Sequence, residues 1–208
     1  RQLTLLKQSS TMQEKIFDQE FWDEQYINET TGWDIGYPST PLKEYIDQLK
    51  DKNIRILIPG CGNGYEAVYL LQQGFQQVTV IDLSPVLTQR FTEKMQQYSG
   101  KELTVVTGDF FEHKGQYELI LEQTFFCVFP PSLREKYIVK VKELLTPGGT
   151  IAGVLFNREF GSAPPYGGSM DEYKPIFQKH LDLMKMEPCY NSIKPRQGAE
   201  LFFIAKKN

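Results

Sequence analysis

Histidine is nearly absent from this chain, with only His113 and His180 among 208 residues. The three cysteines, Cys61, Cys127 and Cys189, lie far apart. Neither a disulfide framework nor a closely spaced zinc-binding pair can be built from them, and no metal is expected. A basic stripe is also missing. The formal charge is −3 and the 23 Lys and Arg are scattered, whereas a nucleic-acid binder masses cations against phosphate, so nucleic acid is not an expected partner. No apolar run reaches transmembrane length, and Arg1 to Glu20 is too polar to contain the apolar segment of a signal peptide. Neither membrane nor secretion is expected, and a cytoplasmic, reducing setting suits the cysteine usage. The chain begins at Arg rather than Met, as expected if a few residues precede it.

What the chain does have is aromatic bulk, 14 Phe, 11 Tyr and 2 Trp, and a length that suits one domain with a real core. Apolar runs alternate with helical spacing, the mark of a parallel α/β sheet. Strands are predicted at 54–58, 78–81, 103–106, 117–121 and 150–155, with the last of two further strands at 201–205. Helices are predicted from Tyr65 to Gln73, from Ser84-Pro85 to Met95, from Pro131-Ser132 to Leu145 and near Asp171 to His180. Thr146-Pro147-Gly148-Gly149 reads as a tight turn. The expected architecture is a Rossmann-like, doubly wound α/β sheet forming a single domain over 1–208, with 1–50 as an N-terminal helical lid segment and 51–208 as the sheet core. Ligands of such sheets sit beyond the carboxyl ends of the strands, where the winding reverses.

Directly after the first strand comes Gly60-Cys61-Gly62-Asn63-Gly64. Gly60 and Gly62 let backbone approach a ligand, and Gly64 lets the turn enter the helix tightly. In a dinucleotide fingerprint the third glycine would stand at position 65, but Tyr65 is there, followed by Glu66. An acidic residue at a helix head repels phosphate, so a ligand without phosphate and with a cationic end, such as S-adenosylmethionine, fits better. A Walker-type loop is excluded because no Gly-Lys-Ser/Thr follows. Asp82 stands 22 residues after Gly60 at the end of the second strand, placed to accept from ribose hydroxyls. Asp109 closes the third strand and can accept from an adenine amino group while Phe110 packs on the ring.

Taken together, Ile58-Pro59-Gly60-Cys61-Gly62-Asn63-Gly64-Tyr65, Asp109-Phe110-Phe111 and Thr124-Phe125-Phe126-Cys127 resemble the thiopurine methyltransferase-like family. With Phe21-Trp22, Trp33-Asp34-Ile35-Gly36, Pro38, Pro41 and Ala163-Pro164-Pro165-Tyr166, they look most like its thiol and halide methyltransferase branch. The resemblance implies a class I methyltransferase fold, a seven-stranded, mostly parallel sheet with an antiparallel last strand. It implies cofactor contacts from Trp22, Tyr26, Trp33, Gly60, Gly62, Gly64, Asp82, Asp109, Phe110 and Gln123, and an acceptor-side role for the Tyr166 hydroxyl. Tyr26 stands where that branch commonly has a second Trp, Gln123 where it often has Tyr, and Ser162-Ala163 where it has Gly-Gly.

Methyl transfer from a sulfonium is an in-line displacement that asks for alignment and exclusion of water. Ring faces of Trp22, Tyr26 and Trp33 attract such a cation, each contact contributing roughly 0.5–2 kcal/mol, which suggests a lid over the cofactor. A thiol with a pKa of about 8.5 needs little base catalysis, in keeping with the shortage of histidine. The expected function is methyl transfer to a small soft nucleophile (a thiol, bisulfide, halide or thiopurine) by a monomer. The alternatives are a small-molecule O- or N-methyltransferase, a catalytically weak cofactor-binding protein and, more distantly, an NAD-dependent oxidoreductase. The Pro-Pro-Tyr tetrad follows the fifth strand rather than the fourth, and Pro188-Cys189 comes too late, so neither marks a DNA methyltransferase.

Overall fold

The computed structural model describes residues 16–208. Positions 1–15, most of the polar segment read above against a signal peptide, lie outside the described residues. Two short helices come first, α1 (Gln19–Ile27) and α2 (Thr40–Asp47). The Asp18 side chain caps α1 by accepting from the Phe21 N–H, and Pro41 sits in the first turn of α2, where its missing N–H costs nothing.

The sheet core then runs β1 (Arg55–Pro59), α3 (Tyr65–Gln72), β2 (Gln77–Asp82), α4 (Pro85–Lys94), β3 (Leu103–Thr107), β4 (Tyr117–Gln123), α5 (Arg134–Leu144), β5 (Leu145–Phe156), α6 (Met170–His180), β6 (Asp182–Pro188) and β7 (Glu200–Lys206). Strand order is β3-β2-β1-β4-β5-β7-β6. β1 to β5 pair in parallel, and β7 runs antiparallel between β5 and β6. The chain winds outward from β1 to β3, then returns to place β4 on the other side of β1, so the switch point lies between β1 and β4.

Successive strand side chains point to opposite faces, and both faces are covered. Ile56, Ile58, Leu119 and Leu121 pack with α2, α3 and α4, while Leu57, Ile120 and Ile151 pack with α5 and α6. Burial on both faces explains why these strands read as unbroken apolar runs rather than alternating ones.

Most predicted elements form within a residue or two of the expected ends. Gly74 adopts the left-handed conformation (φ +87°) expected after α3, and Ser169 with Glu172 builds a capping box on α6. Two local readings are corrected. Pro131–Leu133 is a 3-10 turn, and the α-helix begins only at Arg134. Thr146-Pro147-Gly148-Gly149 is no separate turn, because α5 passes straight into β5 at Leu145. Leu145 pairs with Tyr117 across a register shift, Gly148 takes φ +74°, and its N–H donates to the Lys207 carbonyl. The glycines absorb a bulge while the ladder continues through it.

Candidate functional site

A cavity of about 640 Å³ opens over the carboxyl ends of β1 to β5, within the size range of small-molecule sites. Its floor is the glycine turn. Gly60, Gly62 and Gly64 all have positive φ (+58°, +53° and +69°), but for different reasons. A Cβ on Gly60 would run into the Phe125 ring, while the nearest atom to one on Gly62 is the Tyr26 hydroxyl at 3.8 Å. Both residues line the cavity. Gly64 does not: a Cβ there would lie 2.5 Å from Phe91 of α4, so this glycine serves the packing of α3 against α4.

Asp82, 9% exposed, lines the cavity at the end of β2. One carboxylate oxygen accepts from the Gly62 N–H at 3.3 Å and the other from the Ser84 N–H at 3.1 Å. Burial pushes the carboxyl up to about 6, against the lowering effect of these backbone donors. Asp109, exposed after β3, accepts from the Phe111 N–H at 2.8 Å and also lines the cavity. Phe110 is 4% exposed and stacks near Tyr137 and Phe125, so it is both core and wall.

Over this floor lies the N-terminal segment. Trp22 and Tyr26 on α1 meet Trp33 edge-to-face, with ring centroids 5.6 and 6.1 Å from it, and all three line the cavity. Polar ties hold the segment down. Asp23 accepts from the Ser84 hydroxyl, and Asp34 accepts from the Asn63 amide and, at 3.1 Å, from the Tyr65 hydroxyl. Arg90 donates to the Tyr26 carbonyl and Arg196 to the Trp33 carbonyl, each at 3.0 Å. Burial, with Asp82 nearby, pushes the Tyr26 phenol well above its ordinary range.

Glu66 is buried in the first turn of α3, where its carboxylate accepts from the Ser39 N–H at 3.0 Å. Desolvation raises its pKa. The Ser39 hydroxyl donates in turn to the Gln123 side chain at 2.8 Å. Gln123 thus reaches the cavity wall as one end of a relay that joins α2, α3 and β4.

Beyond β5 the lining changes sign. The rings of Phe156 and Phe160 meet at 4.9 Å, with the Arg158 guanidinium 4.8 Å over Phe160 and that of Arg196 5.5 Å over Phe156. Pro164 and Pro165 complete this end. Tyr166 does not line the cavity. It is 4% exposed, its N–H donates to the Cys127 carbonyl at 2.6 Å, and it directly follows the lining Pro164 and Pro165. Arg158 and Arg196, by contrast, line the cavity at this end. Neither arginine, nor Ser39 or Glu122, stood out in the sequence, and Asp34 entered only as part of the Trp33-Asp34-Ile35-Gly36 stretch. The one available signal was Glu122 itself, a charge ending the apolar run Leu119-Ile120-Leu121, since a buried carboxylate must find partners.

Among the described residues no group of His, Cys, Asp or Glu side chains is arranged to hold a metal ion. No described helix is long and apolar enough to cross a membrane.

Sheet order, winding and a cavity over the strand ends define a Rossmann-like class I methyltransferase. The chain belongs to the thiopurine S-methyltransferase (TPMT) family, whose model matches residues 17–202, and is a methyltransferase that depends on S-adenosylmethionine. A probable thiol methyltransferase 2 of Arabidopsis thaliana is 29% identical over 192 residues, covering 90% of this chain and 84% of that protein. A thiopurine S-methyltransferase of Vibrio parahaemolyticus is 27% identical over 177 residues, covering 77% and 82%. In fold, the chain resembles the 1,6-didemethyltoxoflavin-N1-methyltransferase of Burkholderia thailandensis, solved with S-adenosylhomocysteine, at TM-score 0.73 and 18% identity over 91% of this chain and 87% of that one.

Proposed function

We propose that the protein transfers the methyl group of S-adenosylmethionine to a small, soft, anionic acceptor, such as a thiolate, bisulfide, halide or thiopurine. The observation that carries this reading is the division of charge within one cavity. Asp34, Glu66, Asp82 and Asp109 stand beside the ends of β1 to β3, while Arg158 stands beyond β5 together with Arg196, which is ion-paired with Glu200 at 3.5 Å and also acts on Glu66.

The residues present fit the cofactor. Gly62 leaves a cradle open toward Tyr26, Asp82 and Asp109 present acceptors for hydroxyl and amino groups, and Trp22, Tyr26 and Trp33 present ring faces and edges to a cation. Bound there, the cofactor supplies an activated methyl group on a sulfonium. The chain's own work is alignment and exclusion of water. The tied-down N-terminal segment closes the cavity, and the Arg158 guanidinium draws an anion toward the Phe156–Phe160 end, while Arg196, paired with Glu200, ties that end to Trp33. Among the described lining residues there is no histidine and no lysine, which suits an acceptor that arrives ionised rather than one that must be deprotonated. The relatives named as thiol and thiopurine methyltransferases support the same class of acceptor. Three free, buried cysteines support a reducing, cytoplasmic setting.

The test is incubation with methyl-labelled S-adenosylmethionine and a panel of thiols, sulfide, iodide, thiocyanate and a thiopurine, with an alcohol and an amine alongside. Label is expected in the soft anions. Label in the alcohol or amine alone would overturn the reading. So would S-adenosylhomocysteine binding without transfer to any soft anion, which would point to a cofactor-binding protein or another acceptor class.

A further inference from the structure

Among the described residues Glu122 is the one carboxylate at 0% exposure, and the chemistry above does not use it. It ends β4 at the switch point, directly before the segment that joins the two halves of the cavity. One carboxylate oxygen accepts from the N–H groups of Phe125 and Phe126, both at 2.8 Å, and the other accepts from the Tyr137 hydroxyl of α5. Thr124, between Glu122 and those donors, has φ +52°, in the left-handed region that a β-branched residue rarely adopts. Such a conformation persists only when its surroundings hold it, and here the carboxylate grips the backbone immediately beyond it. What is held matters to the site. Gln123, Thr124 and Phe125 all line the cavity, and the Phe125 ring occupies the space where Gly60 has no side chain.

We propose that Glu122 is a positioning residue for methyl transfer, its ionised carboxylate clamping the 123–126 turn between the cofactor end and the acceptor end of the cavity. This role rests on the activity proposed above. Hydrogen bonds to a charged acceptor are stronger and shorter than those to a neutral one, so protonation loosens the clamp and the turn can drift from its register against Gly60.

The surroundings of the carboxyl make that protonation accessible. Tyr137 faces it from α5 and Cys127 from the turn after Phe125, while Tyr173 of α6 and Glu200 of β7 line the small cavity beside it. Among the described residues no cation pairs with it. Burial pushes its pKa up to about 7, with Tyr137 and the two backbone donors pulling the other way. The charged clamp is therefore present above pH 7 and is lost as pH falls through it.

The experiment uses iodide, an acceptor with no proton of its own to lose, at saturating S-adenosylmethionine between pH 5.5 and 9. For the wild type, kcat is expected to fall on the acid side, centred near pH 7. E122Q keeps the shape and mimics the protonated form. Its kcat is expected to be flat with pH and roughly tenfold below the wild-type alkaline plateau, with the KM for cofactor little changed at pH 8. Y137F removes a donor that favours the charged form, and its acid limb is expected at higher pH. A second readout needs no turnover: between pH 5 and 8 the melting temperature of the wild type is expected to fall more than that of E122Q, because a raised carboxyl pKa contributes stability that is lost as pH rises through it. A wild-type limb that survives in E122Q, or stays in place in Y137F, refutes the role of Glu122. If E122Q does not fold, Y137F decides alone. Absence of transfer to iodide and to every thiol refutes the activity itself and this role with it.

Discussion

Asp82 offers the sharpest single perturbation of cofactor binding. Its carboxylate already accepts from the Gly62 and Ser84 N–H groups, and its remaining lone pairs face the cavity. Only the ionised form can accept from two ligand hydroxyls as well as from both backbone donors. With the carboxyl pushed up to about 6, that form predominates at pH 8 and falls to about one-tenth at pH 5, so the apparent Kd for S-adenosylhomocysteine is expected to rise roughly tenfold between them. Affinity is thus lost as pH falls through about 6. In D82N the slope disappears. The amide presents one oxygen where the carboxylate had two, so its NH2 must face either the Gly62 or the Ser84 N–H, and binding at pH 8 is expected to weaken by roughly 1.5–3 kcal/mol, or about 10- to 150-fold. Stability responds differently. Removing a buried charge whose pKa is raised by about two units relieves about 3 kcal/mol at pH 8, which offsets about 1–3 kcal/mol for the unsatisfied donor. The melting temperature of the free protein should therefore move little. Calorimetric titration of S-adenosylhomocysteine at pH 5 and pH 8, with melting curves of both proteins, makes the measurement. A wild-type Kd that is flat with pH, or a D82N variant that keeps the slope, would refute the reasoning.

Two further outcomes separate ligand contacts from packing. W33A should weaken S-adenosylhomocysteine binding by about 3- to 30-fold through loss of an aromatic face, and unchanged affinity with a lowered melting temperature would reassign Trp33 to packing. G64A should do the reverse: its Cβ meets Phe91 at 2.5 Å with φ at +69°, so we expect a loss of about 1–3 kcal/mol in chemical denaturation while the folded fraction binds S-adenosylhomocysteine normally.

The sheet was legible because its signals are local. Five apolar runs, stopped by Pro59, Asp82, Gly108-Asp109, Glu122 and Asn157, sufficed to place β1 to β5, and the spacing of Asp82 from the glycine turn and the position of Asp109 at the end of the third strand brought both to the cavity. What was not legible depends on partners distant in sequence. The reason Gly64 is glycine is Phe91, across a helix pair. Thr146 to Gly149 resemble a turn by composition and become a strand because Tyr117 and Lys207 supply ladder partners. Arg196 sits in an unremarkable Lys-Pro-Arg stretch, and only the return of β7 into the sheet brings it against Phe156 and Trp33. A motif match brought Pro164 and Pro165 to the cavity wall but could not foretell the burial of Tyr166, whose N–H donates to Cys127 in the turn after β4.

The place of β7 also has a consequence for how the chain acquires its structure. β6 is made before β7, yet among the described residues its only partner strand in the sheet is β7, which must slot in between β5 and β6. The five parallel strands can assemble as they emerge during synthesis, but β5 keeps an open edge and β6 stays unpaired until the final strand arrives. Pairing of such distant segments is slow, and exposed edges invite association with other chains. Arg196 lies in the link between β6 and β7, so the Phe156–Arg196 end of the cavity is completed by the same late event that seals the sheet.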